Sequence, residues 1–139
     1  MKISRGTTRV TLLIGKFAFK IPILNRSVKH FVKGWLGNID ENVYWKKTHN
    51  QKLCPIYFSL FGLVNIMPKA DKVDYSASEF DKRVILDYFS DCDVNIDVCS
   101  GWRNYGMYKG ELVMIDYAAD RESGDQCSDC DNECILKNK

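Results

Sequence analysis

A predicted β-hairpin near the N-terminus constrains the fold of this chain more than any other feature of its sequence. The runs TTRVTLLI (residues 7–14) and FAFKIPI (residues 17–23) are rich in β-branched and aromatic residues, and only Gly15 and Lys16 separate them. Two runs of this kind joined by two residues predict a pair of antiparallel strands. Because side chains alternate along a strand, the second run should carry Phe17, Phe19 and Ile21 on one face and Ala18, Lys20 and Pro22 on the other.

A long amphipathic helix should follow the hairpin. Asn25 or Ser27 is expected to cap this helix, which should run to about Lys47. Gly34 and Gly37 lie in its middle, where they either permit close packing or divide the helix in two. Apolar residues recur every three or four positions and predict one buried stripe, made of Val28, Phe31, Val32, Trp35, Leu36, Ile39 and Val43.

The rest of the chain predicts shorter elements. These are two strands at 55–59 and 63–67, a helix from Ser78 to Ser90, an irregular segment at 97–108 and a final strand at 111–117. This order predicts an α+β fold, with a small antiparallel sheet and one long helix in a single domain of residues 1–119. Residues 120–139 are polar and acidic, and we interpret them as a separate cysteine-containing tail.

Charge and hydropathy limit the location and partners of the protein. The sequence contains no apolar run long enough for a membrane span or a signal peptide, so we expect a cytoplasmic protein without a membrane partner. Residues 1–52 carry 11 Lys/Arg against 2 Asp/Glu, and the remaining residues carry 9 against 16. Either the two oppositely charged halves attract each other within one fold, or the basic half faces an anion such as a nucleotide or a nucleic acid.

Six cysteines are, in a cytoplasmic protein, expected to be free thiols or metal ligands rather than disulfides. In the tail, Cys127, Cys130 and Cys134 have a spacing that suits zinc. The fourth ligand is not determined by the sequence, which offers Cys99, Cys92 or His49. The alternative is an acidic tail without a specific metal.

The stretch GELVMIDYA (residues 110–118) places Asp116 directly after four apolar residues. Such a run predicts a buried strand, and a carboxylate at its end is costly unless a cation or hydrogen-bond donors compensate it. Asp116 is therefore a candidate functional residue.

Two segments in this order resemble the protein-kinase-like superfamily. The first is FAFKIP, a lysine within a hairpin strand followed by a helix, and the second is DVCSGWRNYGMYKGELVMIDYA (residues 97–118). The resemblance covers residues 5 to 120 approximately, and is to reduced, compact members encoded by bacteria and bacteriophages. It implies a minimal kinase-like fold with a truncated C-lobe, in the host cytoplasm if the protein is viral.

The resemblance implies a role for each matching residue. Lys20 would contact the phosphates of ATP and pair with Glu41, for which Asp40 or Glu111 is an alternative. Asp97 would accept the proton of the phosphate acceptor, while Asn104 and Asp116 would hold Mg²⁺. The segment 65–71 would provide the hinge whose backbone binds adenine.

The sequence also departs from the family. The catalytic-loop histidine is missing, Asp97 and Asn104 are seven positions apart, the glycine-rich loop is nearly absent, and Ala118 replaces the glycine of the metal motif. Two hypotheses follow. One is a minimal kinase-like protein that binds Mg-ATP and transfers phosphate to an unknown acceptor. The other is a non-catalytic pseudokinase that binds a protein partner as an inhibitor or adaptor. No motif supports the third hypothesis, a nucleic-acid-binding protein.

Overall fold

A five-stranded antiparallel sheet and one long helix form the frame of this protein. The structure is a computed structural model, and it describes residues 1–25, 27–74, 81–92 and 101–117. The sheet has the strand order β1-β2-β3-β5-β4. Its strands are β1 (Lys2–Arg5), β2 (Arg9–Ile14), β3 (Phe17–Pro22), β4 (Phe58–Leu60) and β5 (Val64–Pro68), and α1 (Val28–Thr48) lies between β3 and β4 in the chain.

The predicted N-terminal hairpin is confirmed. Strands β2 and β3 pair from Ile14↔Phe17 to Arg9↔Pro22, and Gly15 makes the turn with a φ of 56°. A left-handed conformation of this kind costs glycine little. The structure adds β1, which pairs with β2 although its segment, KISR, has no strand signal beyond Ile3. Pairing with a neighbour, rather than intrinsic propensity, therefore accounts for β1.

Helix α1 is confirmed with Ser27 as its N-cap, whose hydroxyl oxygen accepts a hydrogen bond from the His30 N–H. The predicted buried stripe is wrong, because Val28, Val32, Leu36 and Val43 are all exposed. The buried residues of the helix are instead Gly34, Gly37, Asn38 and Glu41.

Close packing explains this change of face. A Cβ added at Gly34 would lie 2.3 Å from the Thr8 carbonyl oxygen, so only glycine lets the helix backbone approach the chain leading into β2. The helix continues through both glycines without a break, which favours the close-packing interpretation.

A second, two-stranded sheet corrects the prediction for the C-terminal half. Strands β6 (Tyr105–Tyr108) and β7 (Glu111–Met114) form a hairpin around Lys109 and Gly110, so the predicted irregular segment contains a strand. The predicted final strand also ends earlier, at Met114. Lys109 and Gly110 both have positive φ, the geometry of a two-residue hairpin turn, but lysine is not a residue that signals this turn.

The other helix, α2 (Lys82–Tyr88), is shorter than predicted. It begins after Asp81, whose side chain caps it by accepting a hydrogen bond from the Arg83 N–H at 2.9 Å. The first residues of the predicted helix, 78–80, lie outside the described residues. No helix among the described residues is both long and apolar enough to cross a membrane.

The main hydrophobic core lies where β5, α2 and the second hairpin meet. Backbone hydrogen bonds connect the small sheet to the rest of the molecule, from the Cys54 N–H to the Met114 carbonyl and from the Asp71 N–H to the Met107 carbonyl. The buried members of this core are Leu53, Cys54, Ile56, Met67, Ile85, Phe89, Cys92, Tyr105, Val113, Met114 and Tyr117. This core holds β7, and with it the segment that contains Asp116, against the large sheet.

Candidate functional site

The face of the large sheet that α1 covers, here called the inner face, carries polar side chains. Strand register places Thr11, Lys20 and Asn65 in one row across β2, β3 and β5. Lys20 and Asn65 are both buried, as are Asn38 and Glu41 on the facing side of α1. Buried charges and amides require partners, so their contacts define the site.

Lys20 lies at the centre of these contacts. Its Nζ lies 2.8 Å from Glu41 Oε1, donates a hydrogen bond to the Ile115 carbonyl oxygen at 2.5 Å, and lies 3.9 Å from Asp116 Oδ1. The predicted contact between Lys20 and Glu41 is therefore present, with the Glu41 side chain fully buried. Neither Asp40 nor Glu111 takes this position.

Arg9 completes a cluster of four charges, which we call the charge cluster: Arg9, Lys20, Glu41 and Asp116. Its guanidinium contacts Glu41 Oε1 at 2.9 Å through Nη1 and pairs with Asp116 Oδ1 through Nη2. Two cations thus face two anions. This balance matters because a buried charge is tolerated only when its neighbours neutralise it.

Asn38 holds the cluster and the sheet together. Its Nδ2 donates to the carbonyl oxygens of Lys20 at 3.0 Å and Gly62 at 2.9 Å, while its Oδ1 accepts from Arg9 Nη1 at 3.2 Å. Asn65 Nδ2 in turn donates to the Asn38 carbonyl oxygen at 2.8 Å. These amides fix the positions of the backbone and of Arg9 relative to the helix.

Asp116 is the part of the charge cluster that solvent reaches. Its side chain is 44% exposed, whereas those of Arg9, Lys20 and Glu41 are at most 11% exposed. Burial by itself raises the pKa of Asp116, but attraction to Lys20 and Arg9 outweighs it and holds the pKa well below its ordinary value. A ligand that reaches this cluster must therefore approach from the side of an ionised Asp116.

The position of Asp116 explains the carboxylate at the end of the apolar run. It lies two residues after β7, and two cations from the opposite sheet compensate its charge. One oxygen of Glu41, Oε2, is buried without a hydrogen-bond partner in the described part of the structure. The cluster thus keeps an unused acceptor close to both cations.

Asn104 supports the same segment through its backbone. Its carbonyl oxygen accepts hydrogen bonds from the N–H groups of Ile115 at 2.8 Å and Asp116 at 3.4 Å. The predicted catalytic Asp97 lies outside the described residues, as do the tail cysteines Cys127, Cys130 and Cys134. Within the described ranges, no group of three or more His, Cys, Asp or Glu side chains is arranged to hold a metal ion.

Arg9 and Asn38 are site residues that the sequence analysis did not identify. For Arg9 a signal exists, because the two-residue turn sets the register of the hairpin. Counting back from Gly15 and Lys16 pairs Arg9 with Pro22 and Thr11 with Lys20, which places Arg9 and Lys20 on one face. For Asn38 there is no local signal, since its partners come from two distant segments of the chain.

A groove of about 530 Å³ lies apart from the charge cluster, at the end of the sheet where β3 begins and β5 ends. Its lining includes Phe17, Lys69 and the hydroxyl pair Tyr57–Tyr108, whose oxygens are 2.5 Å apart. This hydrogen bond is the main cause that raises the pKa of Tyr57 to about 12, so the Tyr57 hydroxyl stays neutral at physiological pH.

Two described cysteines, Cys54 and Cys92, are free and buried. Burial is the main cause that raises the pKa of Cys54 to about 12, which leaves it protonated and unreactive at neutral pH. No family model, curated protein or solved structure matches this chain.

Proposed function

We propose that this protein is a minimal kinase-like module that binds the phosphates of a nucleotide at the charge cluster. The observation that carries the proposal is the position of Lys20 Nζ, which lies 2.8 Å from Glu41 Oε1 and 3.9 Å from Asp116 Oδ1. A strand lysine paired with a helix glutamate, beside an aspartate that follows a later hairpin, is the arrangement that the kinase-like resemblance implies.

The chemistry of the cluster suits a phosphate group. Arg9 and Lys20 supply two cations, and both are positioned by buried partners before any ligand arrives, so little ordering entropy remains to be lost on binding. Solvent reaches them through Asp116, which is the most exposed member of the cluster. A phosphate entering there replaces Asp116 as the anion that faces Arg9 and Lys20.

Mg²⁺ would have Asp116 as its protein ligand, with Asn104 as the second candidate. The exposed carboxylate of Asp116 fits a hard divalent cation, and the bound cation would neutralise phosphate charge. For this to happen, Asp116 must exchange its Arg9 contact for the metal. Lys20 would then hold the phosphates while Glu41 keeps its Nζ in place.

A thermal-shift titration with ATP tests the proposal, with and without Mg²⁺. Stabilisation should follow the ligand concentration and reach about 2.7 kcal/mol at a hundredfold excess over the Kd. Lys20→Ala should lose the shift, whereas the control Lys29→Ala, at the exposed start of α1, should keep it. A wild-type protein that shows no shift at millimolar nucleotide contradicts the proposal.

The pair between Arg9 and Asp116 favours a second candidate, a non-catalytic pseudokinase that binds a partner protein. Arg9 already neutralises the charge of Asp116. Phosphoryl transfer would require Mg²⁺ to take that position beside Asp116. Arg9→Ala frees Asp116 and separates the two candidates. If nucleotide binding becomes Mg²⁺-dependent only in Arg9→Ala, the natural protein is adapted to function without the metal, and the second candidate is favoured.

A further inference from the structure

The outer face of the large sheet, on the side opposite α1, is apolar across all five strands. Strand register connects its middle row in the order Ile3, Leu12, Phe19, Ile66 and Phe58. The neighbouring outward positions are also apolar, apart from Arg5 at one corner. We define the outer face as Ile3, Val10, Leu12, Ile14, Phe17, Phe19, Ile21, Phe58, Leu60, Val64 and Ile66.

Several apolar residues of the outer face are about half exposed, although they are neighbours in one continuous patch. Ile3, Ile14, Phe17, Phe58 and Leu60 are between 44% and 52% exposed. Single exposed apolar residues are common on protein surfaces, but a patch that extends over a whole sheet indicates an interface. The helix does not relieve this exposure, because it packs on the inner face.

The area of the outer face is sufficient for an interface. A large side chain that is half exposed leaves on the order of 100 Å² accessible, so these five residues alone present roughly 500 Å². The half-buried members raise the total toward the roughly 800 Å² per partner of a standard interface. By comparison, the largest apolar patch of a typical monomer is only about 300–600 Å², so the whole outer face exceeds what a monomer usually exposes.

We propose that the outer face is a dimer interface that binds the outer face of a second copy of this chain. The backbone hydrogen bonds of the inner strands are already made within the sheet, so side chains alone meet across the interface. Two such faces can pack about 10 Å apart with strands inclined by roughly 30°, the usual geometry of stacked sheets.

The composition of the face favours a second copy over other occupants. A face without charged or hydrogen-bonding side chains at its centre selects another apolar face, and each copy offers one of identical shape. The C-terminal tail is a poor alternative, because residues 120–139 are mainly polar and acidic. The dimer interface is independent of the proposed nucleotide binding, which would occur on the inner face.

Sedimentation equilibrium of the full chain tests the proposal. The wild type should be dimeric at high micromolar concentration, and its dissociation should respond little to salt because no ion pair crosses the interface. The double variant Ile3→Lys/Phe58→Lys places charges at both ends of the middle row. It should weaken dimerisation at least about thirtyfold, the effect of losing one interface hot spot.

The matched control is the double variant Val43→Lys/Val84→Lys, which replaces two valines on the helices that are slightly more exposed than Ile3 and Phe58 and lie away from the outer face. It should dimerise like the wild type. A single Phe58→Lys variant provides a second test if the double variant folds poorly. A monomeric wild type, a dimer that survives the outer-face charges, or a dimer that appears only after the tail is removed would each overturn the proposal.

Discussion

The inner and outer faces of the large sheet depart from the usual pattern of a folded protein, in which covered residues are apolar and exposed residues are polar. The inner face is covered by α1 and carries Arg9, Lys20 and Asn65, while the outer face is apolar and exposed. Normally the covered face is apolar, because burying charge is costly. The inner face therefore positions buried charges as well as contributing to the core, since Ala18 and Met67 on the same face are also buried.

Stability must then come from two different sources. Between the sheet and α1 it comes from ion pairs, amide hydrogen bonds and the close approach at Gly34. Beside β6 and β7 it comes from ordinary apolar burial, with Leu53, Phe89 and Tyr117 almost fully buried. The comparison between the two faces can be tested by substitutions on each of them.

The largest effect is expected on the inner face, from Glu41→Gln. The substitution keeps the shape of the side chain but removes the anion that Arg9 and Lys20 share, so two buried cations lose a partner. We expect the free energy of unfolding to fall by about 3 kcal/mol, as for other broken buried pairs. Chemical denaturation measures this, with Glu111→Gln at an exposed strand end as the control. An equal, small change in both variants would show that the charge cluster does not contribute to the stability of the fold.

A somewhat smaller effect is expected from Gly34→Ala. In an exposed helix this change stabilises by about 1 kcal/mol. Here the new Cβ meets the Thr8 carbonyl oxygen at 2.3 Å, a backbone atom that can move only if the chain before β2 shifts. We therefore expect a net loss of about 1–3 kcal/mol in the free energy of unfolding. If Gly34→Ala stabilised the protein, α1 and the chain before β2 would have to be further apart than the structure shows.

The charge cluster also predicts an acid dependence of stability. The pKa of Asp116 in the folded protein is lowered from its ordinary value near 4, so its contribution is fully present above that pH and is lost as the pH falls toward the folded pKa. Between about pH 5 and pH 3, the wild type should lose more stability than Asp116→Asn. Melting temperatures measured across this range test it, with Asp87→Asn on α2 as the control. Parallel curves for wild type and Asp116→Asn would contradict the pairing.

The smallest effect is expected on the outer face. Phe58→Lys changes a side chain that is 52% exposed on an edge strand. Measured at a concentration where the protein is monomeric, its free energy of unfolding should change by less than about 1 kcal/mol. A larger loss would show that the outer face contributes to the fold of the single chain, and the contrast between the two faces would then fail.

Much of the local structure could be predicted from the sequence. The Gly15-Lys16 turn set the register of β2 and β3, Ser27 marked the start of α1, and the pairing of Lys20 with Glu41 followed from the resemblance. The roles assigned to Lys20, Glu41, Asn104 and Asp116 in binding nucleotide remain predictions. Strand β6 was missed because its turn, Lys109-Gly110, has a lysine at the first positive-φ position, where glycine, asparagine or aspartate is the usual signal.

The sequence by itself determined the positions of the main hairpin and the long helix, because turn residues, caps and alternation act over a few neighbouring positions. Only the tertiary structure decided which side of α1 is buried, since the apolar stripe and the glycines compete and the polar inner face favours the glycines. It also decided that Arg9 pairs with Asp116, 107 positions later in the chain. No local pattern encodes such a contact, which exists because β7 and the core beneath it hold Asp116 against the sheet.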